Sequence, residues 1–155
     1  AVLDMTDRRP IWAMPDWVPD QIRDALPASW TLEVVEEETD GSGDGAARVS
    51  EHVLGLVADA EVYFGYGIPA ELLDAGKGLR WVHSGAAGVG SSLTPTMVES
   101  SVVFTNSAGV HAPPMAETVL AVLLHFTRGL DLAGESQRRG EWSTDPFYVA
   151  GAPLR

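Results

Sequence analysis

The chain predicts an α/β fold built on an open parallel sheet, and three observations carry that prediction. Leu79–Val82 and Val102–Phe104 are short apolar runs that end in small polar residues, His83-Ser84-Gly85 and Thr105-Asn106-Ser107. This is the pattern of buried parallel strands whose C-terminal ends carry loops. Second, short apolar runs alternate with short amphipathic stretches four or five times, with brief connections. Alternation of that kind gives a parallel sheet with helices on both faces. Third, five strands fit into about 105 residues, which matches a flavodoxin-like sheet of order 2-1-3-4-5.

In order, Ile11–Met14 before Pro15 reads as the first strand. Asp16 is positioned to cap a helix over Trp17–Leu26, with Pro19 in its first turn and Val18, Ile22 and Leu26 on one face. Leu32–Val35 is the second strand. The acidic, glycine-rich run Glu36–Gly45 reads as a solvated loop; it lacks the alternating ligands and distal Glu of a calcium loop. Ala46–Leu56 is an amphipathic helix, Glu61–Phe64 the third strand, Pro69–Ala75 a short helix and Leu79–Val82 the fourth strand. Thr94 and Pro95 read as cap and first residue of a helix through Glu99, before the fifth strand at Val102–Thr105. Met115–Arg139 then reads as one long C-terminal helix of ~37 Å at ~1.5 Å per residue. Its first half, TVLAVLLHF, is apolar nearly all round, so burial on more than one side is expected, against another domain or subunit. Residues 140–155 show no periodicity and read as a docking linker.

Composition narrows the function classes. The 155 residues carry 22 acidic against 10 basic side chains, a net charge of −12, and 45% hydrophobic residues. A nucleic-acid binder carries the opposite balance. Without cysteine there is no disulfide, thiol nucleophile or thiolate metal site, which fits a reducing cytoplasm. No apolar stretch reaches the ~20 residues of a membrane span, and the N-terminus lacks the pattern of a signal peptide.

The residues that carry chemistry gather at one sheet edge. The loop Gly85–Ser92 (GAAGVGSS) reads either as a turn or as an anion cradle of backbone N–H groups. Its spacing, Gly85-x-x-Gly88-x-Gly90, is neither a Walker A loop nor the dinucleotide fingerprint. Asn106 at the end of the fifth strand reads as a turn former or as a side-chain amide reaching the same ligand. His83 and His111 lie near that edge as possible ligand contacts, and His125 reads as a hydrogen-bonded core residue. The histidine spacing gives no metal site. Glu117 suits the first turn of the long helix, and the five tryptophans read as core and docking residues.

Residues 79–142 resemble the substrate-binding domain of the D-isomer-specific 2-hydroxyacid dehydrogenases. The resemblance rests on Ala87-Gly88-Val89-Gly90 after a strand, on Asn106 followed by Gly109-Val110-His111 and Met115-Ala116-Glu117, and on Arg139-Gly140-Glu141-Trp142. It extends more weakly over the units before Tyr66. One departure is Ser91-Ser92-Leu93 where the family commonly has Asp.

The resemblance implies that the backbone amides of Val89 and Gly90 bind a substrate carboxylate, that Gly88 belongs to the same substrate-binding set, that Asn106 contacts the substrate near its reacting carbon and that Tyr66 lines the pocket. Residues 1–139, with the helix 115–139 between domains, would form the substrate domain, and 140–155 a linker. NAD or NADP, and all catalytic residues, would belong to a nucleotide-binding domain outside this chain. The chain alone would be inactive, and the intact cytoplasmic enzyme a homodimer. A stand-alone, non-enzymatic module binding carboxylates or proteins is the alternative.

Overall fold

A computed structural model describes residues 1–7, 9–10, 12–39 and 48–145. The described residues divide into two compact units, split between Gly109 and Val110. The first unit is a five-stranded, all-parallel sheet of order β2-β1-β3-β4-β5. Its strands are β1 (Val2–Asp4), β2 (Glu33–Val34), β3 (Val62–Gly65), β4 (Trp81–Ser84) and β5 (Val103–Asn106). Its helices are α1 (Val18–Ala25), α2 (Glu51–Val57), α3 (Ala70–Ala75) and α4 (Pro95–Glu99). The flavodoxin-like order read from the sequence is the one observed.

Register explains how the sheet is covered. Tyr63 pairs with Val82, and Val82 with Phe104, so all three share one face. Tyr63 and Val82 are buried and pack with Val53, Val57, Leu72, Leu73 and Met97 of α2, α3 and α4. The chain crosses from β1 to β2 in one direction and then reverses, so right-handed crossovers put α1 on the opposite face from α2–α4. That opposite face carries Leu3, Phe64, Trp81, His83, Val103 and Thr105. Leu3 is buried, but Trp81 and Val103 are exposed.

Several expectations are corrected. The first strand is Val2–Asp4 and not Ile11–Met14; Ile11 lies outside the described residues, and Trp12 is exposed. Three residues suffice because β1 is paired on both sides and all three are buried. β4 begins two residues later than expected and β5 one, which brings His83, Ser84 and Asn106 into the strands. The N-cap of α1 is Trp17, with no side-chain cap bond, in place of Asp16. Thr94 caps α4 as expected, its hydroxyl accepting from the Met97 N–H at 3.2 Å. The beginning of the expected helix at Ala46, and most of the acidic loop, fall outside the described residues.

The second unit corrects the long helix. It is two helices, α5 (Ala112–Thr127) and α6 (Leu130–Arg139). Gly129 between them has φ +63°, a left-handed conformation that glycine adopts without a Cβ penalty and that ends a helix. α5 starts three residues earlier than expected, with Pro113 and Pro114 in its first turn, so Glu117 lies beyond that turn. No α5 residue is buried; Met115, Val119, Leu120, Leu123 and Phe126 are all exposed, and so is His125, which was expected in a core. Nor do the tryptophans form a core: Trp12, Trp17, Trp81 and Trp142 are exposed. Of the expected linker, residues 140–145 are described. No described helix is long and apolar enough to cross a membrane.

Candidate functional site

The loop after β4 is fastened at both ends and open in the middle. At its start the Gly85 N–H donates to the Gly65 carbonyl at 2.7 Å. The buried Ser84 hydroxyl donates to the Tyr66 carbonyl at 2.8 Å and accepts from the Ala86 N–H at 3.2 Å. The Asn106 side-chain amide donates to the Ala87 carbonyl at 2.7 Å. Because the partner is a carbonyl, this bond fixes which end of the amide is Nδ2. The Ser107 N–H reaches the carbonyls of Ser84 and Ala86 at 3.1 and 3.3 Å. At the far end the Val89 carbonyl accepts from the N–H groups of Ser92 and Leu93, each at 3.0 Å. The fully buried Ser92 hydroxyl accepts from the Ile68 N–H at 3.2 Å.

Gly88-Val89-Gly90 is the arch between those fastenings. Gly88 and Gly90 are exposed, and a Cβ built on either would meet nothing within 4 Å. Neither has a positive φ. Backbone conformation and internal packing therefore do not require glycine at either position; its effect is to leave the backbone accessible to a ligand. Gly85 differs, because a Cβ there would collide with Met5 Cε and touch the Tyr66 ring at 3.4 Å.

The structure thus brings Gly88, Val89, Gly90, Asn106 and Tyr66 to the C-terminal edge of the strands, where ligands bind in open α/β sheets. Asn106 holds the loop through its amide nitrogen, and its Oδ1 remains to accept a hydrogen bond. Tyr66 spans from this loop to the one after β1, its hydroxyl donating to the Trp12 carbonyl at 2.8 Å.

His83 is engaged within the chain. Its Nδ1 lies 2.9 Å from the Thr105 hydroxyl and its Nε2 3.4 Å from that of Ser107. The Trp81 indole donates to the same Thr105 oxygen at 2.8 Å. Burial lowers the His83 pKa, which favours the neutral ring near pH 7. His111 is the N-cap residue of α5 and belongs to the second unit.

Sequence reasoning missed the loop after β1. Asp4 is buried and accepts from the Tyr63 hydroxyl at 2.8 Å. Burial is the main cause that raises its carboxyl above the usual range, with the Glu37 charge adding and the Tyr63 bond opposing. Asp7 is buried and paired with Arg9. The signal was an acidic residue directly after an apolar pair, Val2-Leu3-Asp4, at an edge rich in loops.

A depression of about 610 Å³ lies at the opposite, N-terminal edge, lined by Trp30, Val62, Leu79, Arg80, Trp81, Ser101 and Val103. The strand-end loops outrank it as a site because they carry convergent polar groups.

The first unit is an α/β domain with a loop of accessible backbone at the ends of parallel strands. No protein-family model matches the chain. Its fold is similar to that of an acyclic imino acid reductase (Bsp5) solved with NADPH and D-Arg, at 16% identity and a TM-score of 0.63, over 94% of this chain and 43% of that one. It is similar to the pyruvate reductase of Chlamydomonas reinhardtii, at 15% identity and a TM-score of 0.53, over 99% and 41%. It is also similar to the TT0316 protein of Thermus thermophilus, at 22% identity and a TM-score of 0.59, over 99% and 45%. The chain spans less than half the length of these structures, and at such identities the likeness is one of fold.

Proposed function

We propose that this chain is the substrate-binding part of an NAD(P)-dependent oxidoreductase of the D-isomer-specific 2-hydroxyacid dehydrogenase family, interconverting 2-hydroxy and 2-keto acids. The observation that carries the reading is the fastened arch Gly88-Val89-Gly90, held to β5 by the Asn106–Ala87 bond. The arch offers backbone N–H groups that bind a carboxylate without a cation. Asn106 Oδ1, beside it, accepts from the substrate hydroxyl. The fold shared with two reductases, one of them solved with NADPH, supports the same class.

The described residues do not fit a nicotinamide dinucleotide. The glycine spacing is Gly-x-x-Gly-x-Gly, and the loop leads to a five-residue helix that begins with Pro95. Proline has no N–H to offer a pyrophosphate. In this reading the hydride donor is held by a second domain, and the chain alone does not turn over keto acids. The exposed apolar side chains of α5 support a covering body of that kind.

The test is a titration of the isotope-labelled chain with pyruvate, followed by amide NMR. The amides of Gly88, Val89 and Gly90 should shift together, and Asn106→Asp, which cannot donate to Ala87, should abolish the response. Pyruvate at millimolar concentration that leaves all three amides unmoved would overturn the reading.

A further inference from the structure

The loop after β1 holds a second polar arrangement at the same sheet edge. The Asp7 side chain is only 2% exposed. Arg9 meets both its oxygens: the backbone N–H and Nε donate to Oδ1 at 2.8 and 3.1 Å, and Nη2 donates to Oδ2 at 3.1 Å. A buried carboxylate needs such a partner. Here the consequence is that the guanidinium is locked in one orientation while 42% of the Arg9 side chain stays exposed. Guanidinium has five N–H donors, and Asp7 uses Nε–H and one of those on Nη2. The Nη1 donors and the second on Nη2 face away from Asp7, with no hydrogen-bond partner among the described residues.

Tyr66 connects this fork to the start of the loop that carries the glycine arch. Its carbonyl is bonded to Ser84, its ring lies against Gly85, and its hydroxyl is bonded to Trp12 in the β1 loop. The charges of Asp7 and Arg9 both reach the Tyr66 phenol, after burial the main influences on its ionisation. The fork and the fastened start of the glycine loop, Ser84-Gly85, therefore both meet one tyrosine. Across this chain, with its net charge of −12, Arg9 is a cation oriented by a buried anion at the substrate edge.

The geometry points to Arg9 as a specificity residue: the 2-keto acid bound by the arch carries a second, distal anionic group, which the outward donors of the Arg9 guanidinium receive. This rests on the reading of Gly88–Gly90 as the site of the first carboxylate. A planar fork with spare donors matches a carboxylate or a phosphorus oxyanion. A dicarboxylate is the favoured class, since it repeats the chemistry of the first group.

The experiment measures dissociation constants of the chain for pyruvate, 2-oxoglutarate and 3-phosphonopyruvate from the shifts of the Gly88–Gly90 amides. Half-exposed charge-assisted bonds support a preference of about tenfold for 2-oxoglutarate over pyruvate. Arg9→Gln should bring that ratio close to one. Because this substitution leaves Asp7 buried without its cation, the double variant Asp7→Asn/Arg9→Gln is measured beside it. Thermal unfolding then reports whether each variant is folded.

A ratio near one in the unaltered chain overturns the inference and leaves the carboxylate arch standing. So does a preference that survives in the folded double variant. Preference for 3-phosphonopyruvate alone, lost with Arg9, keeps Arg9 in its role and replaces the dicarboxylate by a phosphorus oxyanion. If none of the three acids moves the arch amides, the arch reading fails and the inference with it.

Discussion

Gly65→Ala tests the junction that sets Tyr66 in place. A Cβ on Gly65 would lie 2.6 Å from Cε1 and Cζ of Tyr63 and closer still to its Oη. Ordinary contact begins near 3.4 Å, so the ring would have to retreat by about 1 Å. It has no room, because Tyr63 is 1% exposed and its hydroxyl is bonded to Asp4. Overpacking of this kind costs ~1–3 kcal/mol. Breaking the bond to Asp4 leaves a buried carboxylate short of a donor, for a further ~1–3 kcal/mol. The substitution should therefore destabilise by at least ~2 kcal/mol, a large fraction of a typical domain stability of ~5–15 kcal/mol. Urea unfolding followed by circular dichroism measures it. Tyr63→Val supplies the control: with the ring gone, Gly65→Ala should cost at least ~1 kcal/mol less than in the parent. A loss below ~0.5 kcal/mol, or the same loss in both backgrounds, would refute the steric account.

Two further predictions concern charge and backbone. Burial raises the Asp4 carboxyl, so the folded chain holds this proton more tightly than the unfolded one; its contribution is complete below the unfolded value and is lost as pH rises through the folded value. Asp4→Asn, which still accepts from Tyr63, should gain stability relative to the parent from pH 4 to pH 8 in urea titrations, and parallel pH profiles would count against it. Gly129→Ala places a Cβ at φ +63° and should cost ~1–2 kcal/mol in the second unit; an unchanged unfolding midpoint would mean that the break between α5 and α6 does not depend on this glycine.

The sheet order was legible because each strand–helix unit carries its own local pattern. Val62–Gly65 and Val103–Asn106 are apolar runs closed by small or polar residues, and Thr94-Pro95 is a cap written in two residues. β1 was not legible. Its burial comes from pairing with β2 and β3, and its Asp4 is tolerated only because Tyr63, distant in sequence, supplies a donor. Periodicity reports neither fact. The break at Gly129 was written in the sequence, but the helical patterns on both sides of it read as one continuous helix. The candidate residues Gly88, Val89, Gly90 and Asn106 were visible as loop chemistry, whereas Asp7 and Arg9 stand out only through the burial of the carboxylate.

The way this edge would treat charge follows from the same residues. At physiological ionic strength exposed charges act over ~8 Å. On the proposed reading, an arriving carboxylate would meet neutral N–H donors and a guanidinium already paired with Asp7. Neither neutralises the anion held beside the reacting carbon. When hydride adds to a 2-keto acid, negative charge develops on the keto oxygen next to that carboxylate. Stabilising it calls for a donor or cation aimed at that oxygen. His83 does not fit this role, because its ring nitrogens are engaged with Thr105 and Ser107 and burial favours its neutral form. On the proposed reading the fastened arch would orient a keto acid, and a donor or cation aimed at the keto oxygen would have to come from groups other than the arch.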